Sequence, residues 1–492
     1  MRNTATLDAP TTGGKRLVAK NSIWQIVGFG ARAVSGIGVV VLVARSGGPR
    51  SLGVFQFALT LTAMLPFYFG LPSLLAREVA RRPEDGPRWA DVGTLIAILF
   101  GVVFTVALTA GAWLVGASPS TTAAIPIAGI GMAFDGVARV QFATMWAWER
   151  IDLEAKVTLV QEAFLLISAA ALLSAGGGAQ AAVIAFTASR ALGAVLGWFV
   201  VGRHYGALPV PRASREFLRG TLKQCTPFAI NDTLTLTYMR ADAVMLGIFK
   251  GPVAVGLYQA GTNLVLYLNV VARSINHALY PRMSKAWPDR LNEFRRLRDG
   301  SFRAIGLLGV PVAVASLLLA PRTFHFLYGD EFDRAVLTYQ LLVLIIPVRM
   351  LGNTLSLALS SADLQTKRTV AVTAAAALNI GLNLYFIPTW SYLGAAITTV
   401  ICESGLLVVY ALFMRQAAGP SEIIRSVSLP ALASLPMALV IVATRNQHVI
   451  VSGIAGVAAY GITLLAVALV KAGPNAHQRP VRAVVGLLRP AT

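Results

Sequence analysis

Long apolar runs are the feature that most constrains how this chain can fold. Runs of about 18 to 28 residues recur along the whole sequence, and each is long enough for a helix to cross a bilayer. Charged residues make up only 13% of the chain, which is about half of the share found in soluble domains. The sequence therefore predicts an all-α polytopic membrane protein.

The apolar runs predict about fourteen transmembrane helices, which we number as spans 1 to 14. The predicted spans cover residues 22–44, 52–73, 90–115, 121–146, 157–175, 179–202, 224–249, 253–280, 303–320, 335–360, 369–388, 393–414, 426–443 and 449–470. Cys225 and Cys402 are the only cysteines and lie at or within spans, so neither a disulfide framework nor a metal-ligand spacing is predicted.

Lysine and arginine are distributed unevenly between the loops. Of the 42 Lys and Arg residues, 30 fall in the two terminal segments and every second loop, whereas six fall in the opposite loops. Because cytoplasmic loops carry the excess of positive residues, this bias predicts that both termini are cytoplasmic. Most of the positive residues behind the net charge of +20 therefore lie in the predicted cytoplasmic segments, where they are expected to contact anionic lipid headgroups. Nucleic acid is not expected as a partner, since no compact basic domain is present to bind it.

An internal repeat relates the two halves of the chain. GPRSLGVFQFA at 48–58 is similar to GPVAVGLYQAG at 251–261, and weaker similarities link the loops after spans 4 and 10 and the starts of spans 6 and 12. A unit of six spans returns to the side on which it began, so the repeat predicts two parallel six-helix lobes. The predicted divisions are a tail 1–21, an N-lobe 22–202, a linker 203–223, a C-lobe 224–414, two extra spans within 426–470 and a tail 471–492.

Arginines inside spans are candidate functional residues, because a charge at bilayer depth is costly. Four of them are predicted ligands of an anionic substrate: Arg32, Arg240, Arg273 and Arg349. The stretch GFGARAVSGIG surrounds Arg32 with small residues, and it fits either a hydrated cavity or a buried ion pair. Arg273 can extend its head group to the nearby cytoplasmic interface. Arg349 follows Pro347 and can bind carbonyl groups that this proline leaves free.

Further charges in the spans are candidates for ion coupling or for contacts at a lobe interface. They are Asp232, Asp242, Glu162, Arg190 and Glu403. Arg190 and Glu403 fall at nearly equivalent places in the two lobes, and each can pair locally or with the other. Asp135 and Arg139 stand four residues apart on one helix face, which predicts an ion pair between them.

Several motifs in a fixed order resemble a known transporter family. They are VLVARSGGPRSLGVFQFA, LLAREVARR, MRADAVMLGIFKGPVAVGLYQAG, NHALYPRMSKA and LYGDEFDRA. In this order they resemble the polysaccharide-transporter branch of the multidrug/oligosaccharidyl-lipid/polysaccharide (MOP) flippase superfamily. The resemblance implies two lobes around a central cavity in a bacterial cytoplasmic membrane. It also implies alternating-access flipping of polyprenyl-linked oligosaccharides, with polysaccharide polymerases or assembly proteins as further partners.

The predicted function is therefore transport of an anionic lipid-linked glycan, and no catalytic residue, metal or cofactor is predicted. Guanidinium groups suit such a substrate because they stay charged and bind phosphate oxygens in pairs. One alternative is a cation-coupled multidrug exporter, which would use Asp232, Asp242 or Glu162 to hold cations. The second is a membrane glycan polymerase or ligase, although the longest outer loop is only about as long as PRTFHFLYGDEFDR.

Overall fold

The computed structural model describes residues 12–64, 70–268, 279–415 and 420–472, and no strand occurs within these ranges. Two short 3₁₀ helices, Pro83–Asp85 and Asp330–Ala335, accompany the α-helices. The α-helices are α1 Thr12–Ala63, α2 Leu71–Arg81, α3 Gly86–Leu114, α4 Pro119–Ala147, α5 Ile151–Ser174, α6 Gly178–Tyr205, α7 Arg215–Lys250, α8 Pro252–Leu268, α9 Leu291–Tyr328, α10 Val336–Ser361, α11 Gln365–Phe413, α12 Pro420–Ala443 and α13 Val449–Ala472.

Two of these helices contain a kink and each holds two predicted spans. In α1 the break falls at Gly47 and Gly48, where Gly48 has φ 63°. This left-handed conformation favours glycine, and Pro49 then supplies no backbone donor to continue the helix. In α11 the break falls at Ser391, which has φ 53°. Spans 1 and 2 therefore meet at the first kink, and spans 11 and 12 meet at the second.

The all-α polytopic membrane fold predicted from the apolar runs is confirmed. Among the described residues, ten helices are long and apolar enough to cross a membrane. When the two kinked helices are divided and α7 and α8 are added, each of the fourteen predicted spans corresponds to a helical segment.

The chain forms two compact units, Met1–Arg240 and Ala241–Thr492, and their boundary lies inside α7. The first turns of α7 pack with unit 1, where the Phe217 ring meets the Trp89 ring at 4.9 Å between centroids. The preceding linker is also bound there, because the Val210 amide donates to Asp91 at 2.7 Å. These contacts hold the linker 203–223, which includes the first turns of α7, against the first unit. The predicted division into an N-lobe and a C-lobe stays a prediction.

Unit 1 is built around α4, which packs against α1, α2, α3, α5 and α6. Small residues bring these helices close together, as expected for helices that associate in a membrane. A Cβ atom on Gly101 of α3 would lie 2.4 Å from the Cβ of Ala133 in α4. A Cβ atom on Gly131 of α4 would lie 2.7 Å from the hydroxyl of Thr187 in α6.

In unit 2 the two extra helices, α12 and α13, are bound to α9. The Arg322 guanidinium of α9 donates to the carbonyl of Thr444 at 3.3 Å and to the hydroxyl of Ser452 at 2.9 Å. Since Thr444 directly follows α12, the cation lies where the free carbonyls and the helix dipole favour positive charge. Tyr460 of α13 donates to the carbonyl of Leu307 at 2.9 Å.

The orientation predicted from the loop charges can be tested by cysteine labelling. In a variant whose buried Cys225 and Cys402 are replaced by serine, Glu331→Cys and Asp289→Cys introduce thiols at two exposed positions. We expect a membrane-impermeant maleimide to label Glu331→Cys in intact cells and to label Asp289→Cys only after permeabilisation. The reverse pattern would contradict the predicted orientation.

Candidate functional site

Arg32 lies on α1, in the middle of predicted span 1. The side chain of Asn21 donates to the carbonyl of Glu149 at 3.0 Å, which fixes α1 to the turn between α4 and α5. Arg32 follows eleven residues later, and a helix rises ~1.5 Å per residue. Arg32 is therefore about 16 Å along α1 from that turn, a distance close to half the thickness of a hydrocarbon layer of about 30 Å.

The same turn carries a second polar anchor between α1 and α5. Asp152, in the first turn of α5, accepts from Arg150 at 2.9 Å, and its carboxylate lies 3.9 Å from the Lys20 ammonium. The hydrogen bond from Arg150 holds the pKa of Asp152 below its ordinary value. The carboxylate is therefore charged at neutral pH, and it holds the N-terminal part of α1 to the first turn of α5.

The α1 and α5 helices run side by side, and their contact gives Arg32 its partners. A Cβ atom on Gly28 would lie 3.7 Å from the backbone of Ala155, so the two helices approach closely below Arg32. The Arg32 Nη2 atom donates to Glu154 Oε1 at 2.9 Å and to Thr158 Oγ1 at 3.1 Å. Side chains on a helix point toward its N-terminus, which is why Arg32 reaches down to Glu154.

Arg32 is both paired and exposed. Its side chain is 47% exposed, whereas that of Glu154 is 13% exposed. The carboxylate is thus largely enclosed by protein, whereas about half of the arginine side chain is exposed. Of the two interpretations of GFGARAVSGIG, an ion pair is present, although its arginine is half exposed, and the hydrated cavity stays a prediction.

Glu154 also binds a tryptophan that the sequence analysis did not single out. Its Oε2 atom accepts from Trp146 Nε1 at 2.6 Å, so one carboxylate holds the Arg32 guanidinium and the Trp146 indole. Both Trp146 and Glu154 fall in or beside the segment WERIDLEAKVTL, which was assigned to a cytoplasmic loop. Glu154 contacts Arg32 because α1 packs on α5. The spacing of residues in the sequence does not predict that packing.

A second group of charges lies deeper in unit 1. Glu162 of α5 is buried, accepts from the Ser35 hydroxyl and lies 3.1 Å from Arg190 Nη2. Arg190 Nη1 is 3.8 Å from Asp135, whose other oxygen accepts from Arg139 at 2.6 Å. The predicted Asp135–Arg139 pair is confirmed, and Arg190 forms its ion pairs locally within unit 1.

These pairs neutralise the acids of the group, and the side chains of Arg32 and Arg139 are its most exposed parts. The side chains of Asp135 and Arg190 are 13% and 14% exposed, whereas that of Arg139 is 51% exposed. Carboxylates in a membrane helix are tolerated when cations pair with them. The outward surface of the group therefore carries the Arg32 and Arg139 guanidinium groups, which is a surface suited to an anion.

In unit 2, Arg349 binds Glu403 in place of the carbonyl groups near Pro347. Its Nη2 and Nε atoms donate to Glu403 Oε1 at 2.7 and 3.0 Å. Glu403 therefore also pairs within its own unit. Arg190 and Glu403, which the sequence places at nearly equivalent positions of the predicted lobes, therefore each pair locally.

Asp242 of α7 is held by hydrogen bonds within unit 2. Its Oδ1 atom accepts from the Ala243 amide at 2.7 Å, and its Oδ2 atom accepts from the hydroxyl of Tyr258. The Tyr258 hydroxyl is also 3.3 Å from Thr399 of α11. Asp242 therefore joins α7 to α8 and indirectly to α11.

The structure does not bring all predicted site residues together. Arg240 is partly buried at the end of unit 1 and has interaction partners of its own. Arg273 lies outside the described residues, and Asp232 lies in α7 with its side chain outside the described part. Of the four predicted arginines, Arg32 therefore belongs to the candidate site that the described residues form in unit 1. Arg139, which was not among the four, is a second arginine of this site.

Comparisons with known proteins agree with this architecture. The family described as "Polysaccharide biosynthesis protein" matches residues 18–287. The "Probable flippase AglR" of Haloferax volcanii is 27% identical over 170 residues, or 34% of this chain and 36% of that protein. The "Putative O-antigen transporter" of Shigella flexneri is 21% identical over 332 residues, which are 64% of this chain and 78% of that protein.

Among solved structures, the "Lipid II flippase MurJ, inward closed conformation" has a similar fold. Its TM-score is 0.71 with 16% identity, over 90% of this chain and 97% of that one. At this identity the likeness establishes the helical fold, which agrees with the helix order described above.

The ion pair of unit 2 can be tested by exchanging its charges. Removing one partner of a mostly buried pair costs about 3–5 kcal/mol, because the other charge loses its counterion. We expect Arg349→Ala and Glu403→Ala each to lower the thermal midpoint of the detergent-solubilised protein. The exchange variant Arg349→Glu/Glu403→Arg should recover most of the loss.

Arg334→Ala is the matched control for that experiment, since Arg334 is exposed in unit 2 and outside the predicted spans. Its midpoint should stay at the wild-type value. An exchange variant no more stable than the single variants would show that the 2.7 Å contact is not what stabilises these helices.

Proposed function

We propose that this chain is a flippase for a polyprenyl-pyrophosphate-linked oligosaccharide. The proposal starts from its family, since the chain belongs to the polysaccharide biosynthesis protein family. The transported lipid would be a precursor of a cell-surface polysaccharide or of the cell wall. Transport would cross the cytoplasmic membrane by alternating access, with both termini of the chain in the cytoplasm. Membership of the MOP flippase superfamily also follows from the matches to flippases and O-antigen transporters.

The observation that carries the proposal is the pair of exposed guanidinium groups in unit 1. Arg32 and Arg139 are each fixed by a carboxylate that is itself largely enclosed, and about half of each arginine side chain is exposed. An arginine head directed at lipid tails would be costly, so these groups fit a water-filled path. A pyrophosphate supplies the anionic oxygens that such heads bind best.

Glu154 has a defined part in this mechanism. When no substrate is bound, it neutralises Arg32 at 2.9 Å. A phosphate that enters the site would take up the exposed donors of the same guanidinium, and Glu154 would keep the side chain in place. After release, the ion pair remains, so no uncompensated charge is left among the helices while the protein changes conformation.

The names of the relatives support the same proposed function. One relative is described as a probable flippase and another as a putative O-antigen transporter. A lipid-linked anionic glycan is therefore the proposed substrate here, with membrane lipids and polysaccharide polymerases or assembly proteins as proposed partners. A transporter of this kind carries out no chemical step, which agrees with the prediction that the chain is not an enzyme.

A cation-coupled multidrug exporter of the same superfamily is the second candidate. The observation that favours it is Asp242, an acid inside predicted span 7 that binds Tyr258. A drug-binding role would need acids that face the transported cation. Among the residues of unit 1 whose side chains are described, Glu154, Glu162 and Asp135 all lie against arginines, which favours an anionic ligand over a cationic one.

Arg32 provides the test of the proposed function. In cells depleted of the native protein, we expect Arg32→Ala to reach the membrane in normal amounts and to lose export. Lipid-linked oligosaccharide should then accumulate on the cytoplasmic face. Arg32→Lys should retain little activity, because a point charge replaces a group that binds two oxygens at once.

Two further variants make this test decisive. Arg45→Ala removes an exposed arginine of α1 that lies just before the kink at Gly47. This variant should leave export unchanged. If Arg32→Ala is poorly inserted because Glu154 has lost its cation, Arg32→Ala/Glu154→Gln should restore abundance without restoring export. Full export by an abundant Arg32→Ala variant would contradict the proposed role of Arg32.

A further inference from the structure

We propose that Lys20, Arg150 and Lys156 form a binding site for the phosphate of an anionic phospholipid, at the predicted cytoplasmic surface of unit 1. The ligand is a lipid of the surrounding bilayer and is distinct from the transported lipid. The inference therefore goes beyond the proposed function and does not depend on it.

The first observation is an excess of positive charge around Asp152, in the first turn of α5. Arg150 donates to both oxygens of this carboxylate, at 2.9 and 3.1 Å. The ammonium groups of Lys20 and Lys156 lie 3.9 and 3.8 Å from the same carboxylate. Three cations thus share one anion, so these four side chains, which we call the Asp152 cluster, carry a net charge of +2.

The second observation is that the carboxylate of the cluster is enclosed and its cations are exposed. The side chain of Asp152 is 5% exposed, whereas those of Lys20, Arg150 and Lys156 are each between 50% and 57% exposed. The distances from the two ammonium groups to the carboxylate are too long for hydrogen bonds. Both lysines therefore keep N–H donors for a further acceptor.

The third observation is the spacing of the two lysines. Both ammonium groups lie near the same oxygen of Asp152, so they are within about 8 Å of each other. A phosphate accepts charge-assisted hydrogen bonds of about 2.7–2.9 Å on several oxygens, so one phosphate can lie between them. Since Lys20 belongs to α1 and Lys156 to α5, this phosphate would link the two helices.

The fourth observation is the apolar surface that continues from Lys156 along α5. Lys156 directly precedes predicted span 5, and Val160, Phe164 and Ile167 follow it on the same helix face. These three side chains are between 39% and 69% exposed. A phosphate bound at Lys156 would therefore have a surface for acyl chains next to it.

The α1 helix repeats this arrangement beside α5. Lys20 lies just before predicted span 1, and the exposed side chains of Ile23 and Val27 follow it on one helix face. The ring of Trp24 lies 5.6 Å from the Lys156 ammonium. Tryptophan and lysine at the end of a span are typical of the headgroup level of a bilayer. The Asp152 cluster therefore lies where α1 and α5 are expected to meet the lipid headgroups.

The combination of positive charge and apolar surface fits an anionic phospholipid better than other phosphates. Free phosphate would use the cations and leave the apolar faces of α1 and α5 without a ligand. A zwitterionic phospholipid carries an ammonium group of its own, which the net positive charge of the cluster would repel. An anionic phospholipid satisfies both parts of the site, since basic clusters at the end of a membrane helix attract such headgroups.

Thermal unfolding of the purified full chain in detergent tests the inference. The probes are dioctanoyl phosphatidylglycerol, dioctanoyl phosphatidylcholine and inorganic phosphate, each titrated separately. A ligand that binds only the folded protein raises the thermal midpoint. We expect phosphatidylglycerol to raise the midpoint in a saturable manner, and the other two probes to have little effect at the same concentrations. An equal rise with phosphatidylcholine or with inorganic phosphate would overturn the assignment to an anionic phospholipid.

Lys20→Gln/Lys156→Gln tests whether the Asp152 cluster is the site. We expect this variant to bind phosphatidylglycerol about ten- to thirtyfold more weakly, and each single variant about fivefold more weakly, as loss of one lysine near an anionic headgroup predicts. The hydrogen bonds from Arg150 to Asp152 remain in all three variants, so the turn before α5 keeps its ion pair. Lys20→Arg/Lys156→Arg should bind as wild type.

Lys285→Gln/Lys367→Gln is the matched control, because it removes two exposed lysines from predicted cytoplasmic loops of unit 2. It changes the net charge by the same amount and should bind phosphatidylglycerol as wild type. An equal loss of affinity in the two double glutamine variants would show that net charge, rather than this site, attracts the lipid. That result, or an unchanged affinity in Lys20→Gln/Lys156→Gln, would overturn the inference and leave the proposed function standing.

Discussion

The cost of placing charge among apolar helices is the constraint on which the rest of this structure depends. In unit 1 the acids Glu154, Glu162 and Asp135 each lie against an arginine, and in unit 2 Glu403 lies against Arg349. Except for Asp135–Arg139, which lies within α4, these pairs link different helices, so the same contacts neutralise charge and hold helices together. In unit 1 the side chains of Arg32 and Arg139 are also more exposed than the carboxylates with which they pair.

The two charges that the sequence places at nearly equivalent positions of the predicted lobes each pair within their own unit. Arg190 lies against Glu162 and Asp135 in unit 1, and Glu403 lies against Arg349 in unit 2. Whether the two halves superpose as parallel repeats stays a prediction.

Features that depend on one helix could be predicted from the sequence, and features that depend on packing between helices could not. The apolar runs predicted the all-α membrane fold, the motif order predicted the superfamily, and both are confirmed. The Asp135–Arg139 pair followed from a spacing of four residues. The partner of Arg32 did not, because Glu154 becomes its neighbour only through the close approach of α1 and α5 at Gly28. Whether Arg32 and Arg139 bind a transported anion stays a prediction.

Reconstituted transport tests the central claim most directly. Purified protein would be placed in liposomes that carry a polyprenyl-diphosphate oligosaccharide with a fluorescent sugar, and a membrane-impermeant quencher added outside would report which leaflet holds the label. We predict that the inner-leaflet label becomes accessible in wild-type vesicles at a rate well above that of protein-free vesicles. A rate equal to that of protein-free vesicles, with correctly folded protein present in the membrane, would contradict the assignment of this chain as a lipid-linked glycan flippase.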